Sequence, residues 1–512
     1  MTTPWRAAVA VADVDGLHFP DGTTEPLPPL EELHSGRFAA LVHELGLGHG
    51  GKRGSGPSAS RRPSDGQIYI TAALAEALDL PIPEDGPDTE RRAFLAARTD
   101  HPFLARARAE GWTVARWGTP LRIYREQETG RALSAQLVIV PHHAPFGDRF
   151  LDDDPAPALL ARRVQQLADT VGITYRRSAA ATGHALLEAT RPKNGRRADP
   201  LERAELPATV LTKGRQLYVA KNWDRQPTPE ERKRRYVLAY DTRASYLAPC
   251  GSLAVGRGDC EHRTGEVEFD PKVPGLWLAK RPGFEHSRTF DPFGPEQRPG
   301  VPAAGDERRW YYTPTLAYAD KDLKADIKVY EALVWPDHYR MLEPWYTQLS
   351  TARKGITPGT EQCVSATVKD VYTHSIGLFN SDLLLGAPGV KPEEMDPKDL
   401  PLTFRPDVQQ SILAAQQANL TRTITRVGET CGLWPIAVKT DCLFYVVDDP
   451  CFETAVPGLK LESAGGPGQP MTLGSYKPEG AALAEDVFAH LKPGKRWFPK
   501  ASAFTAPEDW SV

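Results

Sequence analysis

Two apolar runs, each ending on a single carboxylate, constrain this chain more than any other feature. Residues 236–241 read YVLAYD and residues 434–447 read WPIAVKTDCLFYVV. Their Tyr, Val, Ile and Phe content is that of strands, and the second run reads as two strands joined at Lys439-Thr440-Asp441. A strand that only filled a core would not need an acid at its end. Asp241 and Asp441, presented from adjacent strand ends, form the oxygen-donor pair that hard divalent cations prefer while leaving positions open for phosphate oxygens. The two runs, two hundred positions apart, therefore have to meet in one sheet.

The chain is long for one core, with 512 residues, and its hydrophobic fraction of 40% and charged fraction of 25% are those of a globular protein. No window reaches the roughly 18 apolar residues of a membrane span. The segment AAVAVA, 7–12, is too short for a signal sequence, so a cytoplasmic protein is expected. A net charge of −4 excludes a uniformly basic nucleic-acid wrapper but leaves room for local patches. The six cysteines have no CxxC spacing, which fits buried thiols in a reducing compartment; Cys250, Cys260 and His262 lack the spacing and fourth ligand of a zinc site.

Along the chain, AVAVADVDGLHFPDG predicts a hairpin, 69–82 and 91–112 have helical spacing, 133–143 reads as a strand and 155–172 as an amphipathic helix. Residues 1–190 thus form an α/β domain, and the polar stretch RPKNGRRADP opens a linker over 191–209. GLGHGGKR, 46–53, departs from a phosphate loop, because Arg53 stands where the hydroxyl should be and no strand feeds the glycines; it reads as a basic loop. Residues 359–379 and 407–428 predict helices, the second capped by Asp407 and ended by Gly428. Neither a GxSxG elbow nor an HExxH pair is present to support an α/β hydrolase.

The order of an Asp-bearing strand, a Lys-bearing helix closed by Gly, and a hairpin with Thr-Asp at its turn resembles motifs A, B and C of family B DNA polymerases. The separations are similar to those of the compact, protein-primed branch. In YDTRASYL, Asp241 falls on the family's metal-binding Asp and Tyr246 on the Tyr that underlies the sugar. In KDVYTHSIG, Lys369 falls on the lysine that holds the incoming triphosphate and Gly377 on the closing glycine. Asp441 falls on the metal-ligating second Asp of the YxDTDS turn. LGSYKPEGAA, 473–482, resembles the segment leading from palm to thumb, and supplies Lys477. The chain departs from the pattern at Thr373, His374 and Ile376 in motif B, and at Ala437 and Lys439 in motif C.

The resemblance implies a mixed α/β and α+β multidomain protein: an RNase H-like, exonuclease-like domain over 1–190, then a right-hand polymerase core. That core has palm at 210–260 with an insertion at 261–350, fingers at 351–400, palm again at 401–455 and a small thumb at 456–512. It implies two Mg²⁺ (or Mn²⁺) ions on Asp241 and Asp441, with catalysis shared by Lys369. Nucleotide contacts would come from Tyr246, Arg353, Lys354, His374, Gly377 and Lys439. Basic and aromatic clusters supply candidate DNA contacts at Arg234, Arg235, Lys477, Lys495, Arg496 and Trp497. Implied partners are single-stranded template DNA, dNTPs and a terminal protein as primer, in the nucleoid and without a membrane. In its overall character the chain also resembles telomere-associated proteins of linear actinomycete replicons. The alternative, favoured by Lys439, is a polymerase-shaped DNA-end-binding protein without catalysis that recruits a terminal protein.

Overall fold

A computed structural model describes residues 6–48, 66–84, 86, 88–114, 117, 120–126, 132–142, 150–151, 153–176, 178–190, 193–194, 197–198, 204–217, 222–284, 288–294, 308–356, 359–385, 390–461, 472–490 and 504–509. Most of the basic loop at 46–53 lies outside them, as do Lys495, Arg496 and Trp497. The chain divides into two compact units, Met1–Ala198 with Thr351–Ser375, and Asp199–Ser350 with Ile376–Val512.

In the first unit, β1 (Val9–Asp13), β2 (Gly16–His18) and β3 (Thr24–Glu25) precede α1 (Ser35–Glu44). Then come β4 (Gln67–Ile70), α2 (Ala72–Ala77), α3 (Asp88–Ala96), α4 (Pro102–Ala109), β5 (Leu121–Glu126), β6 (Ala132–Ile139), α5 (Pro157–Val171) and α6 (Ala179–Thr190). The sheet order is β3-β2-β1-β4-β6-β5. β1, β4 and β6 are parallel neighbours, while β2, β3 and β5 add antiparallel strands at the edges. The expected first hairpin is β1–β2.

The helix expected over 69–82 is corrected. Tyr69 and Ile70 belong to β4, and α2 starts only after Thr71, whose hydroxyl accepts from the Leu74 N–H and caps it. β4 is buried along its whole length between two parallel neighbours, so its apolar run has no alternation to mark it as a strand. α5 runs as expected, with Pro157 in its first turn and Gly172 left-handed at φ 85° past its end.

A hairpin of β7 (Lys193–Asn194) and β8 (Arg197–Ala198) follows. The second unit then holds α7 (Ala208–Thr212), β9 (Asn222–Asp224), β10 (Tyr236–Thr242), β11 (Val255–Gly256), β12 (Glu261–Val267), β13 (Gly275–Lys280), β14 (Arg308–Tyr312), α8 (Thr313–Lys321), β15 (Val329–Val334) and β16 (His338–Tyr339). Two helices, α9 (Glu343–Lys354) and α10 (Gln362–Leu378), carry the chain into and out of the first unit. The chain closes with α11 (Pro406–Cys431), β17 (Ala437–Lys439), β18 (Cys442–Val447), β19 (Tyr476–Leu483) and α12 (Ala484–Ala489). β12-β15-β13-β14 form one antiparallel sheet within 261–350.

The second sheet, β19-β10-β18-β17-β9, is antiparallel throughout. Strand alternation sorts its core. Leu238, Tyr240, Leu443 and Tyr445 pack with Leu420, Ile424 and Val427 of α11. Val237, Ala239, Phe444 and Val446 face the other way, with Ala484 and Val487 of α12. Full burial of such side chains contributes roughly 1.5–3 kcal/mol each, so the register of these strands is strongly specified.

α11 departs from expectation at both ends. Asp407 does not cap it; its carboxylate takes both guanidinium bonds of Arg405, at 2.9 and 2.6 Å, in a buried ion pair. Gly428 does not end it either, since the helix runs to Cys431 and stops at Gly432, φ 69°. Gly428 is required by packing: a Cβ there would stand 2.3 Å from the Trp434 ring.

Candidate functional site

The end of the five-stranded sheet carries the two acids. In β10, Asp241 stands directly opposite Cys442 of β18 on one side and Lys477 of β19 on the other. Cys442 in turn pairs with Lys439 of β17, and Lys439 with Asn222 of β9. One row across five strands therefore reads Lys477, Asp241, Cys442, Lys439, Asn222, and partners in a row project to the same face.

Asp441 immediately precedes Cys442 in the tight turn of the β17–β18 hairpin. The Asp441 N–H bonds to the Lys439 carbonyl at 2.8 Å, and Thr440 sits at φ 60°, the arrangement of a γ-turn. The two acids are thus one inter-strand step, about 5 Å, plus one residue apart along the backbone. The Cys442 thiol registers both: burial raises its pKa first, and the charges of Asp241, Glu479 and Asp441 raise it further.

Local geometry fixes Asp441 more tightly than the turn alone. Ser245 Oγ donates to Asp441 Oδ2 at 2.5 Å, and Thr242 Oγ1 donates to the Asp441 carbonyl at 3.0 Å. Ser245 is brought there by a reversal of the chain just after β10, in which Ala244 adopts φ 50°, a left-handed conformation that costs a non-glycine residue of order 1 kcal/mol. The reversal is locked to the segment leading into β19 by Arg243 N–H to Ser475 O and Gly474 N–H to Arg243 O, both 2.8 Å. Tyr246 follows; burial, and then the nearby Asp441 charge, push its phenol up to about 12. Neither Ser245 nor Thr242 stands out in the sequence, because their roles depend on that reversal.

Cations flank the acids. Lys477 Nζ lies 3.6 Å from Asp241 Oδ2 and also pairs with Glu479. Lys439 is exposed and forms no ion pair with a described residue. Asp241 and Asp441 offer only oxygen donors, which fits Mg²⁺ or Mn²⁺, with Lys477 as the group that a divalent ion would displace from Asp241.

The remaining expected site residues are distributed otherwise. Lys369, Arg353, Lys354 and His374 belong to the first unit and Gly377 to the second. Lys369 and His374 are exposed on α10, which is held against α6 by Ser375 Oγ to Ala180 O at 3.2 Å and His184 Nε2 with Ser375 O at 3.0 Å. Gly183 permits that approach, since a Cβ would meet Ser375 Oγ at 1.8 Å. Arg353 donates to the Ser365 carbonyl at 3.2 Å, whereas Lys354 is exposed. The Gly377 carbonyl accepts from Gln409 at 3.4 Å. Arg234 is tied to the Val446 carbonyl at 2.8 Å and is part of the sheet's own scaffold; Arg235 is exposed, with its guanidinium 5.4 Å from the Tyr236 ring centre.

In the first unit, Asp13, Asp15 and His18 come together with ligand atoms within 4.8 Å of one another. These atoms already have partners: His18 Nε2 binds Asp15 Oδ1 at 2.7 Å and Thr71 Oγ1 donates to Asp13 Oδ1 at 2.5 Å. No helix among the described residues is long and apolar enough to cross a membrane.

A family model for a domain of unknown function, DUF8841, matches residues 10–178. No curated protein matches the chain. Solved structures similar to it include Phi29 DNA polymerase complexed with primer-template DNA and incoming nucleotide substrates, at 10% identity and TM-score 0.43, covering 87% of this chain and 82% of that one. Phi29 DNA polymerase complexed with single-stranded DNA is similar at 11% identity and TM-score 0.43, over 81% of this chain and 76% of that one.

Proposed function

We propose that the protein is a DNA-directed DNA polymerase of family B type, primed by a protein and acting in replication or end-patching of linear DNA. The observation that carries this reading is the single row that sets Asp241 beside the Asp441 turn, with Lys477 and Lys439 on either side. The motif order A, B, C read from the sequence supports it. So does the first unit, whose antiparallel β3-β2-β1 followed by parallel β4 and β6 suits an RNase H-like domain.

Two Mg²⁺ or Mn²⁺ ions at Asp241 and Asp441 would supply charge neutralisation and an activated primer hydroxyl. The chain's own residues do the rest. Ser245 and Thr242 hold Asp441 in one orientation, so that no reorganisation is needed at the moment of reaction. Tyr246 lies beside Asp441 as a neutral, half-buried ring on which a sugar can rest. The primer oxygen forms its bond to the α-phosphorus as the bond to the β-phosphate oxygen breaks. Lys439 and Lys477 meet the negative charge of the bound triphosphate.

The same row favours a second reading, a DNA-end-binding protein without catalysis. Lys477 pairs with Asp241 without any ion, and its charge together with that of Lys439 in the same row repels a divalent one. Primer extension with Mg²⁺ or Mn²⁺ separates the two. Incorporation that disappears in Asp241→Ala with Asp441→Ala supports the enzyme; DNA binding without incorporation by either chain supports the recruiter.

A further inference from the structure

Within the second unit a cavity of about 740 Å³ opens between the turn after β10, α8, the β15–β16 region and α11. Its charged lining is of one sign. Lys272, Lys321, Arg340 and Arg422 contribute to its walls, with no Asp or Glu among the described lining residues. In a chain with 66 acidic and 62 basic residues, that segregation calls for a physical reason.

The cations differ in how they are held. Arg422 is fixed: its Nε lies 2.9 Å from both Asp322 oxygens, Nη1 donates to Asn419 at 2.8 Å, and the guanidinium stands 5.5 Å from the Tyr318 ring centre. Arg340 reaches Glu343 only at 3.9 Å. Lys272 and Lys321 are exposed and form no ion pair with a described residue. Ser411 of α11 is buried, its hydroxyl makes no hydrogen bond to a described residue, and Ala415 and Ala418 of the same helix also line the cavity. One anchored guanidinium, three further cations and a buried hydroxyl among apolar lining residues suit a ligand with several negative charges and an apolar body. The volume lies within the roughly 300–1,000 Å³ of small-molecule sites.

We infer that this cavity binds a multiply charged phosphorylated small molecule of nucleoside triphosphate size, at a site separate from the Asp241–Asp441 pair. The inference does not rest on the polymerase reading. It is tested by calorimetric titration of the full chain with dATP, and with pyrophosphate, in EDTA so that binding through a divalent ion is absent. Lys272→Glu with Lys321→Glu, both exposed, is expected to weaken dATP binding roughly tenfold or more. Ser411→Leu, which fills the cavity, is expected to do the same, while Lys280→Glu, at an exposed cation outside the lining, leaves the affinity unchanged. The inference is overturned if the native chain binds neither probe at about 1 mM, the weak limit of useful affinity. It is also overturned if neither cavity variant changes the affinity, or if the variants lose a single-stranded oligonucleotide but not dATP, which would assign the cations to a strand's phosphates.

Discussion

Ser245 Oγ donates to Asp441 Oδ2 at 2.5 Å, linking the residue that follows a left-handed Ala244 to an acid almost two hundred positions away. A hydrogen bond to a charged group contributes about 1.5–3 kcal/mol, so Ser245→Ala is expected to lower kcat for nucleotide incorporation by roughly tenfold or more. Ser245→Thr, which keeps the hydroxyl, should restore most of it. Mn²⁺ affinity measured separately by calorimetry should fall in the Ala variant, a change that loss of packing alone would not produce.

Lys439 shares a face with Asp241 two strands away. If it meets the triphosphate, Lys439→Ala raises KM for dNTP by roughly fivefold with kcat little changed, the pattern of a lost binding contact. Unchanged steady-state constants would make Lys439 a solvated charge.

The buried Arg405–Asp407 pair predicts an asymmetric stability effect. Asp407→Ala leaves an unpaired guanidinium inside the second unit and should cost about 3–5 kcal/mol. Replacing both by apolar residues, Arg405→Met with Asp407→Leu, should cost much less. Thermal unfolding of the single and double variants measures the difference.

Mild acid should weaken the first unit selectively. Burial lowers the pKa of His34, His43 and His184, and takes His142 from 6.5 to about 4. The folded His142 therefore stays neutral while the unfolded one takes up a proton. Its contribution is fully present above pH 6.5 and is lost as pH falls to about 4, to the extent of about 3 kcal/mol. Trp117, whose ring centre lies 5.4 Å from that of His142, reports the change by fluorescence. His142→Gln should flatten the pH dependence over that window.

The sheet that carries the acids is legible because its strands are rich in Tyr, Val, Leu and Phe and end in polar turns. The hairpin at 437–447 and the strand at 236–242 needed no tertiary information beyond the demand that their acids meet. β4 does not show as a strand in the sequence because burial on both sides erases alternation. Gly428 carried no sign that it faces Trp434 rather than a helix end. Arg234 was legible as a charge but not as a ligand of the Val446 carbonyl, and Ser245 became a site residue only through the backbone reversal at Ala244. Apart from Gly428 and its near neighbour Trp434, each of these depends on a partner distant in sequence, which local pattern does not encode.

The proposal that Asp241 and Asp441 hold a common pair of divalent ions is tested most directly at the metals themselves. Electron paramagnetic resonance of the native chain with primer-template DNA, dNTP and Mn²⁺ should show a spin-coupled pair of ions, consistent with a separation of about 3.5–4 Å. That signal should vanish in both Asp241→Asn and Asp441→Asn. A native chain that shows no coupled pair, or one that persists in either variant, would contradict it.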